Sequence, residues 1–61
     1  MYIILKHQPK YFLGIKVYTT SRKYAQLSDY DHAKAVCFRL NERSAGKKVY
    51  YSLIPSLEYK G

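Results

Sequence analysis

Carboxylates are scarce in this chain. Its 61 residues hold four Asp and Glu against eleven Lys and Arg, a formal net charge of +7 at pH 7. Residues 1–28 carry Lys6, Lys10, Lys16, Arg22 and Lys23 and no acid at all. Cysteine occurs once, which excludes an internal disulfide and fits a reducing compartment. With only His7 and His32 beside Cys37, a set of soft zinc ligands cannot be completed, so no structural metal and no cofactor is expected. Tryptophan is absent. No apolar run approaches the ~20 residues of a membrane span, and Met1–Leu5 is too short for a signal-peptide core. The expectation is a cytoplasmic protein with no membrane partner. No Gly-rich phosphate loop, repeat or linker interrupts the sequence, which reads as one domain over 1–61, near the lower limit for folding without a staple.

What is abundant is tyrosine. Eight Tyr accompany two Phe, and 48% of the residues are hydrophobic, too many for a disordered basic tail. Tyr offers apolar area with a polar tip, which suits half-buried strands and contact surfaces alike.

Local patterns predict the elements. Met1–Lys6 reads as a strand halted by a turn at His7-Gln8-Pro9-Lys10, because proline fixes its own backbone and biases Gln8 towards extended geometry. Tyr11–Thr20 alternates, with Tyr11, Leu13, Ile15 and Val17 expected on the core face and Phe12, Gly14, Lys16 and Tyr18 outside. The two runs predict an antiparallel hairpin. Ser21-Arg22-Lys23 reads as a polar turn and Tyr24–Leu27 as a short third strand.

Ser28 and Asp31 match a helix-capping pattern, and Asp29 and Asp31 oppose the helix dipole. Tyr30, Ala33, Val36, Cys37, Leu40 and Ser44 then form one amphipathic stripe, with Gly46 as the stop, predicting a helix over about 29–44. Lys47–Ile54 is the last strand, ended by Pro55, with Val49, Tyr51 and Leu53 inward and Lys48, Tyr50 and Ser52 outward. The sum is a small α+β fold of order β-β-(β)-α-β: a mainly antiparallel sheet of three or four strands with one helix on one face.

A single helix leaves the other face uncovered. Phe12, Lys16, Tyr18, Lys48 and Tyr50 interleave rings and cations there, as single-stranded nucleic acid requires, and Gly14 would allow close backbone approach. The pattern resembles the stacking surface of RNA-recognition-motif domains, which use two helices and an aromatic signature absent here. Outward Tyr and Lys are equally ordinary on a solvated sheet. Phe38 lies roughly 140° from Ala33 around the helix. It either packs over the sheet end, favoured in so short a chain, or stands out as a contact anchor. Arg22 and Lys23 complete the expected contact set.

Catalysis is poorly supported. Ser28, Asp29 and His32 are explained as helix-start residues, and Cys37 sits on the buried stripe, where a thiol is inert. The expectation is a protein that is not an enzyme.

Ser28–Leu53, with A-x3-C-x2-L-N-E-R at Ala33–Arg43, Gly46 and the Tyr-rich strand K-K-V-Y-Y-S-L, resembles short bacteriophage-encoded αβ proteins. The resemblance implies stoichiometric binding in the host cytoplasm to proteins such as polymerases, nucleases or defence complexes. Three readings follow: a modulator or inhibitor docking on an acidic surface of a host protein, a direct nucleic-acid binder, and a homodimer formed through the uncovered face.

Overall fold

A computed structural model describes residues 1–60. The chain runs β1 (Tyr2–Phe12), β2 (Ile15–Leu27), α1 (Tyr30–Arg43), β3 (Tyr50–Pro55) and a 3-10 turn over Ser56–Glu58. The sheet has the order β2-β1-β3 with both pairings antiparallel, so the fold is small α+β with three strands. Its Cα atoms span 41 × 26 × 10 Å.

The helix lies across one end of the sheet. Asp29 is its N-cap, its Oδ2 accepting from the His32 N–H at 3.2 Å, so the cap is one residue beyond the expected Ser28. Ala33 and Cys37 are buried against the sheet, as is Ile4 of the central strand. Tyr2 meets Tyr30 edge-on at 5.1 Å, which fixes Tyr2, Ile4 and Lys6 as the helix-side row of β1. The helix closes through Ser44, whose N–H and Oγ both donate to the Leu40 carbonyl, at 3.0 and 2.9 Å. Among the described residues no helix is long and apolar enough to cross a membrane.

The hairpin departs from expectation. β1 does not stop at Lys6 but runs through Pro9 to Phe12. Proline is tolerated there because β3 pairs only with Tyr2–His7, so beyond His7 the central strand has a free edge towards the β3 side. The turn falls instead at Leu13-Gly14, where both residues have positive φ, 55° and 79°. Two such residues in succession match the twist of the flanking strands. Gly14 is thus a turn residue, with open space where a side chain would stand.

β2 is equally continuous. Ser21-Arg22-Lys23 is no turn: these residues pair with His7, Lys6 and Leu5, and Tyr24–Leu27 is the same strand continued past a bulge at Tyr24. A second bulge at Val17 leaves Lys16 opposite Tyr11 and Tyr18 opposite Lys10. β3 starts later than expected, at Tyr50, leaving Lys47, Lys48 and Val49 in the preceding loop. It does lie beside Met1–Lys6, with Tyr51 and Leu53 on the helix side.

The helix covers the sheet only near Ile4, so the outer half of the hairpin projects as a two-stranded arm. Tyr11, Leu13, Ile15 and Val17 are therefore not a core face; Leu13 is 85% and Ile15 70% exposed.

Candidate interaction surfaces

Two surfaces stand out, the arm tip and a notch where β3 begins. The arm ends in Phe12, Leu13, Ile15, Val17 and Tyr18, all exposed. Lys10 pairs with Tyr18 and Lys16 with Tyr11, so cations flank the apolar tip on both faces of the ribbon.

The expected single platform is divided. Tyr50 pairs with His7 and Tyr18 with Lys10 along β1, an odd separation, so the rings project from opposite faces of the sheet. Neither is sealed: Tyr18 is 56% and Tyr50 53% exposed. Phe12 pairs with Ile15 and shares the Lys10–Tyr18 face. Lys16, Lys48 and Tyr50 do come together, around a cleft of about 310 Å³ also lined by Pro9, Tyr11, Thr19, Lys47 and Val49. Arg22 pairs with Lys6 on the helix side, away from that cleft, while Lys23 donates through Nζ to Gln26 Oε1 at 2.7 Å. Phe38 stands 64% exposed and does not pack over the sheet end, because the helix turns only its Ala33–Cys37 stripe inward.

The face opposite the helix is ordered by His7. Its Nε2 lies 2.6 Å from Ser52 Oγ and its Nδ1 3.0 Å from Ser21 Oγ, so one ring nitrogen donates and the other accepts in the neutral imidazole. The ring stacks on Tyr50 with centroids 4.5 Å apart and planes at 11°. Lys48 Nζ sits 4.4 Å above the Tyr11 ring, a cation–π contact that holds the ammonium at the cleft wall.

A second cleft, about 320 Å³, opens on the helix side between Lys6, Leu40, Arg43, Ser44, Lys47, Val49 and Tyr51. Lys6, His7, Tyr11, Arg43 and Lys47 were absent from the contact set expected from sequence. Lys6, His7 and Tyr11 lie on β1, Arg43 at the helix end and Lys47 in the loop before β3, and the pairing of β3 with β1 brings them together. Among the described residues no three His, Cys, Asp or Glu side chains are grouped to hold a metal. Cys37 is buried on the helix stripe, and burial raises its thiol pKa above the ordinary value.

No family model, curated protein or solved structure matches this chain.

Proposed function

We propose that this is a small basic binding protein without catalytic activity, which docks by its hairpin arm into an apolar groove with an acidic rim on a larger protein. The carrying observation is the arm itself. It presents exposed aliphatic and aromatic side chains at the tip of a ribbon that the helix does not cover, with Lys48 resting on the Tyr11 ring. A two-stranded ribbon alone is marginally stable in water, and aliphatic side chains of this kind suit a protein groove better than a nucleic acid. Lys10 and Lys16 flank the tip, and no acid lies on either strand of the hairpin, so an acidic rim complements it and speeds encounter. The resemblance to short phage proteins supports a host protein in nucleic-acid transactions or defence as the partner. The outcome of docking is then inhibition or redirection of that protein in the host cytoplasm.

The test compares the wild type with an Ile15→Ser/Val17→Ser double variant on nuclease-treated bacterial lysate. Both residues are exposed, so the variant keeps its far-UV circular dichroism. The reading requires a protein retained stoichiometrically by the wild type and lost by the folded variant. If every retained species binds both forms equally, the arm is not the docking element.

A further inference from the structure

We infer that the notch at the start of β3 is a seat for a single-stranded phosphodiester backbone, separate from the arm tip. The two clefts open on opposite sides of the sheet but share Lys47 and Val49. Lys6, Arg43 and Lys47 line the first; Lys16, Lys47 and Lys48 line the second. Five of the eleven basic side chains thus follow one another around a single edge, and among the described residues no carboxylate lines either cleft.

The path is open because β3 stops pairing at His7, leaving the edge of β1 free at Pro9 and Tyr11. It is short because the Cα framework is only 10 Å through its thinnest dimension, so a few nucleotides can pass from one cleft to the other. A flexible strand can make that turn, whereas a duplex is too stiff to bend over such a distance.

The chemistry favours a nucleic-acid strand over an acidic peptide. Four of the five cations are lysines, point charges that neutralise phosphate, and the fork of Arg43 matches phosphate and carboxylate alike, so the preference for a nucleic-acid strand rests on the rings beside them. Phenol rings line both clefts: Tyr51 on the helix side, Tyr11 and Tyr50 on the other. Tyr11 carries Lys48 and Tyr50 carries His7, yet both rings remain substantially exposed for a base to stack. This goes beyond arm docking and is independent of it.

Fluorescence anisotropy of a labelled oligothymidylate of about ten nucleotides tests the inference. Each phosphate neutralised on a single strand contributes about 0.7 to the log–log salt slope. Engagement of three to five of these cations therefore predicts an affinity falling roughly ten- to hundredfold between about 50 and about 200 mM salt. Lys47→Ala, which touches both clefts, is expected to weaken binding severalfold and to flatten the slope by about 0.7. Lys34→Ala, an equal charge loss on the exposed helix surface, is expected to change affinity less than about twofold. Ile15→Ser/Val17→Ser is expected to bind the strand normally, which keeps this result distinct from failure of arm docking. The inference is overturned by no binding at the lower salt, by equal losses for Lys34→Ala and Lys47→Ala, or by loss in the arm variant. Better competition by a duplex or by polyglutamate at equal charge overturns it as well.

Discussion

The side-chain amide of Asn41 bonds both main-chain groups of Tyr51: the Tyr51 N–H donates to Oδ1 at 2.8 Å, and Nδ2 donates to the Tyr51 carbonyl at 3.1 Å. Tyr51 pairs with Lys6 on its other side, so the amide stands in for the missing neighbour of an edge strand. This ties the last turn of the helix to β3, and it sets where the loop carrying Lys47 and Lys48 must cross. Asn41→Ala removes both bonds and leaves partly buried backbone groups unpaired, at a cost of about 2 kcal/mol. Urea denaturation should show the midpoint falling with little change in slope.

The thiol of Cys37 gives a pH signature. Burial raises its pKa in the folded protein above the ordinary thiol value, so the neutral thiol is the form the fold prefers. Its stabilising contribution is complete below the unfolded pKa and is lost as pH climbs through the folded one. In denaturation series taken upward from pH 8, the wild type should lose stability more steeply than Cys37→Ala. Native protein should also react with a thiol reagent much more slowly than urea-unfolded protein.

Leu13 occupies a left-handed conformation at φ 55°, which a γ-branched residue adopts at a cost. Asn at this turn position relieves that cost, and Leu13→Asn should gain about 0.5–1 kcal/mol in thermal or urea unfolding. The same change deletes an apolar side chain that is 85% exposed, so arm docking should weaken as stability rises. Gain of both properties would argue that Leu13 is no contact residue.

Stability should be divided sharply along β1 and β2. Ile4 is fully buried, and Ile4→Ala is expected to cost about 2–5 kcal/mol. Ile15→Ala, on the arm, should cost less than about 0.5 kcal/mol, since little is buried there to lose. Parallel chemical denaturation of the two variants measures the contrast.

The helix and the strand character of Tyr2–Leu5, Ile15–Thr20 and Tyr50–Ile54 were legible because each depends on local pattern. Asp29 and Asp31 opened the helix, and the stripe of Ala33, Val36, Cys37 and Leu40 faces inward, with Ala33 and Cys37 buried and Val36 and Leu40 half-buried. What failed were judgments that depend on neighbours. Pro9 reads as a stop unless the strand beside it has already ended, and Ser21-Arg22-Lys23 reads as a turn unless His7, Lys6 and Leu5 stand opposite. The Val17 bulge shifts the alternation by one, so Lys16 and Tyr18, which share a face in an unbroken strand, separate. The basic edge was hidden for the same reason: Lys6 and Lys47 are forty-one positions apart in the chain, and both line the same cleft.

Pro9 has one more consequence. The Tyr51 backbone groups point outward to Asn41, so Lys6 directs its own towards β2, and the alternation aims the Pro9 nitrogen at the vacant side of β1. That nitrogen has no hydrogen to give. A strand from another molecule trying to zip onto this stretch meets a missing rung, so the gap stays wet and the protein is guarded there against growing into a fibre.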